Sequence, residues 1–145
     1  EEIDALILYV ELEKMRFNDL NFTIEFDKEI VASTLLIPSM IIQPYVENAI
    51  KHGLLHKQGD KQLFIKIKRS TTHLIILIED NGVGLKASTT SSSHQSSGIA
   101  ITEQRIYLYG KIKGKPVSIQ KQVAFPTSTT QPGHRVDIFL PLVYS

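Results

Sequence analysis

Apolar residues recur at two different periods in this chain, which predicts an α+β fold: helices on one face of a mixed, mostly antiparallel sheet. Three observations support that prediction. Helical spacing holds over residues 1–17, 38–53 and 98–109. Strict alternation holds over residues 22–27 and 63–69. The order is helix, strand, helix, strands, loop, helix, strands, without the regular βαβ alternation of a doubly wound sheet.

Residues 1–17 read as a helix with Ile3, Leu6, Ile7, Val10 and Phe17 on one side and Leu8, Leu12 and Met15 forming a second apolar strip. A helix apolar on two sides is normally buried or paired. Phe22-Thr23-Ile24-Glu25-Phe26-Asp27 alternates and reads as a half-buried strand, and a short extended piece is expected over 34–37. Pro38 suits the first turn of the next helix, which runs to Gly53. Pro44, inside that pattern, deletes a backbone hydrogen bond at a cost of roughly 3 kcal/mol in a helix interior, so a kink or a late helix start is expected there.

Residues 63–69 and the apolar run 74–78 form a strand pair that turns at Thr71-Thr72. Residues 86–97, KASTTSSSHQSS, have no apolar period and read as a mobile loop. Ile99, Ile101, Ile106 and Leu108 restore helical spacing, and residues 117–123 and 135–140 are two closing strands.

At 145 residues the chain can bury a real core, and its 42% hydrophobic and 21% charged content is that of a globular protein. A net charge of +1 gives no general attraction to nucleic acid or an anionic membrane surface. Cysteine is absent, which excludes disulfides, thiolate metal sites and a cysteine nucleophile. The apolar runs fall far short of the ~20 residues that span a bilayer. The chain opens without Met inside a helical pattern, so a piece excised from a longer protein is the expectation.

Two stretches bear chemistry. In the helix that ends IIQPYVENAIKHG, Ile41, Tyr45, Ala49 and Ile42, Val46, Ile50 make an apolar face, while Asn48, Lys51 and His52 share the opposite side at i, i+3 and i+4. Alone, that is an ordinary solvated face. Asp80-Asn81-Gly82-Val83-Gly84 follows directly on a buried strand, where the glycines let a ligand or backbone approach closely. The Asp80 carboxylate could accept a hydrogen bond from an exocyclic amine such as that of adenine. Asn-Gly is also a common hairpin turn, but here a Ser-rich loop follows instead of a partner strand. Ser96-Ser97-Gly98-Ile99-Ala100 then places backbone N–H groups at an expected helix start, where phosphate oxygens can bind.

Val46-Glu47-Asn48-Ala49-Ile50-Lys51-His52-Gly53 resembles the N box, and residues 80–84 the G1 box, of the GHKL (Bergerat-fold) ATPase superfamily. Leu12-Glu13 with Arg16-Phe17, and Ile37-Pro38 leading to Gln43-Pro44, are similar to LytS-like sensor histidine kinases of bacterial two-component systems. The resemblance covers nearly the whole chain. It implies ATP and Mg²⁺ as cofactors, with Asn48 as the metal ligand, Lys51 and His52 beside the phosphates, and Glu47 polarising an attacking imidazole. It makes Asp80 the selector of adenine, with Gly82, Gly84 and Leu85 around the base. Residues 86–97 become the ATP lid, which ends at Ser97, Gly98 and Ile99. Residues 1–17 become the end of an upstream dimerisation and phosphoacceptor region, and 18–145 the ATP-binding domain.

The partners implied are that upstream segment and a response regulator, with no nucleic acid. The parent is expected to be a homodimeric inner-membrane sensor with this domain in the cytoplasm. None of the five histidines suits the acceptor: His52 belongs to the N box, and His56, His73, His94 and His134 read as solvated residues in or beside loops. They lack the clustered spacing of a zinc site. Three departures from the family pattern stand out: Pro44 in place of a first Asn, Ser-Ser-Gly-Ile-Ala where Gly-x-Gly-Ile-Gly is expected, and no Asn within 102–105. The alternatives are a degenerate nucleotide sensor or scaffold, or a GHKL serine kinase or ATPase. Pro44 cannot serve as the general base that an ATPase clamp needs at that position.

Overall fold

The computed structural model describes residues 2–16, 19–27, 41–54, 59–83, 92–125 and 132–142; within its helices, the side chains of residues 2–3, 52–53 and 92–97 are outside the description. Three helices and five strands follow in the order α1 (Glu2–Lys14), β1 (Leu20–Phe26), α2 (Ile42–Asn48, continued by a π-helical turn over Ala49–Leu54), β2 (Lys61–Arg69), β3 (His73–Asp80), α3 (Ser92–Lys113), β4 (Ser118–Gln122) and β5 (His134–Pro141). The strands form one sheet in the order β1-β2-β3-β5-β4. Only β1 and β2 run parallel; the other three pairings are antiparallel. A parallel pair needs a long crossover, and the stretch containing α2 supplies it.

Register decides which side chains meet the helices. Leu63, Ile65 and Ile67 of β2 stand opposite Asp80, Ile78 and Ile76 of β3, and Leu74, Ile76 and Ile78 stand opposite Leu140, Ile138 and Val136 of β5. These apolar residues are all buried, in one core with Leu6 and Val10 of α1, Ile42, Tyr45 and Val46 of α2, and Ile106 of α3. Alternation at period 2 thus puts one apolar face of the sheet beneath one layer of helices. On the opposite face, Arg135 grips Asp137 with two hydrogen bonds of 2.8 and 2.9 Å.

Several expectations needed correction. The helix expected from Pro38 begins at Ile42, so Pro44 stands in its first turn. Backbone N–H groups there have no intrahelical acceptor, and the missing donor costs little. Helix α3 begins at Ser92 rather than Gly98, so residues 92–97 are helical where a loop was expected. Serine, glutamine and histidine are only modestly poor helix formers, and extending a helix already anchored by packing costs little per residue. Ile106 is fully buried on α3, but Ile101 and Leu108, expected beside it, are 58% and 56% exposed. The buried row is instead Thr102, Ile106 and Gly110, four residues apart. On α1 the second apolar strip is uncovered among the described residues, with Leu8 63% and Met15 80% exposed. The extended piece expected over 34–37 lies outside the described residues.

Candidate functional site

Strand β3 ends in Asp80, which is 3% exposed and faces the helix-covered side of the sheet. Its Oδ1 accepts a hydrogen bond of 2.8 Å from the Gly82 N–H. The backbone N–H of His134 also bonds the carboxyl. Burial nevertheless dominates and pushes the pKa of Asp80 up to about 7, with the charge of Glu79 adding to the rise and the two backbone bonds opposing it. The result is a carboxyl group with no cationic partner among the causes of its shift, poised to change charge near neutrality.

The turn that carries Asp80 is tied down on both sides. The Asn81 Oδ1 accepts from the Gln62 N–H at 2.8 Å and its Nδ2 donates to the Asp60 carbonyl at 3.2 Å, which staples the turn to the start of β2. On the other side the Gly133 N–H donates to the Gly82 carbonyl at 3.0 Å. Gly133 has φ +67°, and a Cβ there would lie 2.2 Å from the Asp80 carbonyl oxygen, so only glycine fits.

On α2, Tyr45, Val46, Ala49 and Ile50 are buried as the spacing predicts, while Glu47 and Asn48 are half-buried and Lys51 is exposed. The π-helical turn over Ala49–Leu54 packs on β2 and β3. Its i→i+5 winding lags the α-helical period, so Lys51 falls short of the row that an α-helix would share with Asn48. Glu47 accepts a bond of 3.3 Å from the Gln43 Nε2 one turn earlier on α2. Burial, with the charges of Glu13 and Glu47, pushes the Tyr9 hydroxyl on α1 up to about 12.

Asp80 and Gly82 are therefore brought together, through the Gly82 N–H bond to the carboxyl. Gly84 and Leu85 lie outside the described residues, as do the side chains of His52 and Ser97. Gly98, expected to open α3, is its seventh residue, and its carbonyl accepts a 2.9 Å bond from Thr102 Oγ1. Ile99 packs against the core. Sequence reasoning passed over Gly133 and gave His134 no part in the site. Pro132-Gly133 ahead of an alternating run signals a turn, but nothing local reveals that the run lies against Asp80. His134, expected to be solvated, is half-buried in β5.

No family model matches the chain. Curated relatives do. The sensor histidine kinase/phosphatase LytS of Staphylococcus aureus (strain MRSA252) is 31% identical over 83% of this chain and 22% of its own length. The sensor protein LytS of Staphylococcus saprophyticus is 33% identical over 59% of this chain and 14% of its own. Among solved structures, a mycobacterial sensor histidine kinase, MprB, superposes with a TM-score of 0.67 at 16% identity, covering 99% of this chain and 95% of that one. The chain is a LytS-like histidine kinase domain. The catalytic domain of the histidine kinase ThkA, at a TM-score of 0.62 and 14% identity over 96% of this chain and 90% of that one, shares its fold. The LytS-like domain spans about a fifth of the length of the S. aureus relative. No described helix is long and apolar enough to cross a membrane.

Proposed function

We propose that this LytS-like domain binds Mg–ATP and presents the γ-phosphoryl group to a histidine imidazole on an upstream segment of its parent protein. The observation that supports this most is Asp80: a buried carboxyl, held by two backbone N–H groups, at a strand end under the helix layer. In its ionised form it accepts the exocyclic amine of adenine. Asn48 offers an amide oxygen to Mg²⁺. Among the described residues no three of His, Cys, Asp or Glu gather into a metal site. Mg²⁺ takes most of its ligands from phosphate and water and few from protein. Bound Mg²⁺ would neutralise charge on the triphosphate, and Lys51 would add a mobile point charge. Glu47, whose charge acts on Tyr9 of α1, would meet a group arriving from that side rather than hold the nucleotide.

Residues 1–17 would be the end of a longer pairing helix, a reading supported by the exposure of Leu8, Leu12 and Met15 among the described residues. The parent would then be a homodimeric membrane sensor with this domain on the cytoplasmic side, passing phosphate to a response regulator. Transfer also requires N–H groups near Gly98 to be free for phosphate, whereas here they lie within α3. Unwinding residues 92–97, a stretch of modest helix formers, would release them.

That same helical segment favours a second reading, a nucleotide sensor without kinase activity. Incubation with γ-labelled ATP separates the two. The parent protein should acquire acid-labile phosphohistidine, the parent bearing Asn48→Ala should not, and the isolated 145-residue chain should bind nucleotide without labelling itself. An unlabelled parent that still binds Mg–ATP would establish the sensor, and strong phosphohistidine on the isolated chain would contradict an upstream acceptor.

A further inference from the structure

The antiparallel register sets His134 directly opposite Asp80, so both side chains project from the same face of the sheet. Directly opposed residues hold their Cβ atoms ~4.5–5.5 Å apart. The approach is enforced by Gly133, which has no room for a side chain against the Asp80 carbonyl. His134 itself bonds the Asp80 carboxyl through its backbone N–H, which leaves the ring to be accounted for.

The Nε2 of that ring is wholly buried and has no hydrogen-bond partner among the described residues. Two histidine rings are described, and the other shows what satisfaction looks like: His73 uses both nitrogens, to Thr72 Oγ1 at 2.8 Å and to the Pro116 carbonyl at 3.1 Å. A buried polar atom without a partner is costly to keep, and beside a second polar group a ligand can complete its bonding. Burial, assisted by the charge of Lys121, lowers the pKa of His134 and favours the neutral ring.

We propose that His134 reads the purine base next to Asp80, donating from Nε2 to the ring nitrogen N1 that adjoins the exocyclic amine accepted by the carboxylate. This rests on the nucleotide reading above. Adenine presents an amine donor and a ring-nitrogen acceptor side by side, and a carboxylate next to an imidazole N–H is the complementary pair. Guanine offers the reverse, a carbonyl oxygen and an N–H. In the same pose it would set oxygen against carboxylate and N–H against N–H. A site whose buried polar groups are left unpaired by the wrong base rejects it strongly. His134 is therefore a specificity-determining residue that the sequence motifs do not contain.

The test compares Mg–ATP with Mg–1-deaza-ATP, in which a C–H replaces N1, by calorimetric titration of the wild-type chain and of His134→Phe and His134→Gln. Wild type should bind ATP about tenfold more tightly than the deaza analogue, the worth of one buried hydrogen bond. His134→Phe should bind the two alike, and His134→Gln, whose amide can still donate, should recover part of the difference. Thermal melting of each variant establishes that it is folded, and the wild-type comparison stands even if neither variant is. Wild type that binds ATP and its deaza analogue equally would overturn the role of His134 while leaving the nucleotide site intact. Binding of neither nucleotide by the folded wild type would remove the site and this inference together.

Discussion

Around Asp80, at the end of β3, the backbone does the positioning: N–H groups of Gly82 and His134 hold the carboxyl, Asn81 ties the turn to β2, and Gly133 ties it to β5. The polar face of α2 is built differently. Glu47 is braced by Gln43, but Asn48 and Lys51 have no hydrogen bond or ion pair among the described residues. Under the proposed function, the first region would be a fixed receptor for a rigid, planar base. The second would present an amide and an exposed ammonium to a flexible triphosphate and its metal. Binding should therefore respond to the two regions unequally: damage at the turn should remove the site, and damage on the helix should weaken it.

The largest effect should come from Gly133→Ala. The new Cβ would overlap the Asp80 carbonyl and force a side chain into left-handed backbone, so about 3 kcal/mol or more of stability should be lost in urea denaturation, and nucleotide binding with it. If Gly133→Ala were as stable as wild type, the turn would be softer than described.

Asp80→Asn should follow, with loss of Mg–ATP binding beyond a hundredfold at pH 8, since an amide cannot offer two acceptor oxygens. The same variant exposes a conflict between stability and function. The folded pKa of about 7 lies above the ordinary value of 3.8, so the stability contributed by Asp80 is present below pH 4 and is lost as pH rises through 7. Wild type should therefore lose stability relative to Asp80→Asn between pH 4 and pH 8, by roughly 4 kcal/mol at most. Subtracting the variant matters because His134, with its lowered pKa, acts in the other direction: it costs stability below pH 6.5 and stops doing so as pH rises. Nucleotide binding, which needs the ionised carboxylate, should weaken as pH falls below 7.

On the helix the effects should shrink. Asn48→Ala should cost about ten- to hundredfold in affinity for ATP with Mg²⁺ and little without it. Lys51→Ala should cost only a few-fold, and added salt should erase the difference, because an exposed ammonium is well screened. A Lys51 effect larger than that of Asn48 would invert the comparison and make the triphosphate end the anchoring one.

How much of this was legible in the sequence follows from how local each feature is. Alternation in residues 22–27 and 63–69 located β1 and β2, and Pro44 signalled a kink or a late start in a helix that begins at Ile42, because each depends on neighbouring residues alone. The apolar spacing of α3 misled: Ile101 and Leu108 fall on the solvent side, and Thr102 and Gly110 take the buried row. That row is chosen by what α3 packs against, and local spacing could not decide it. The position of Asp80 at the end of β3 was readable from its motif. The partners that complete it, Gly133 and His134, arrive through β3–β5 pairing between distant segments, a contact that no local pattern encodes.

The most direct test is a calorimetric titration of Mg–ATP into wild type and Asp80→Asn at pH 8. The account predicts saturable, Mg²⁺-dependent binding to wild type and none to a folded Asp80→Asn. Equal binding by the two proteins, or none by wild type, would contradict it.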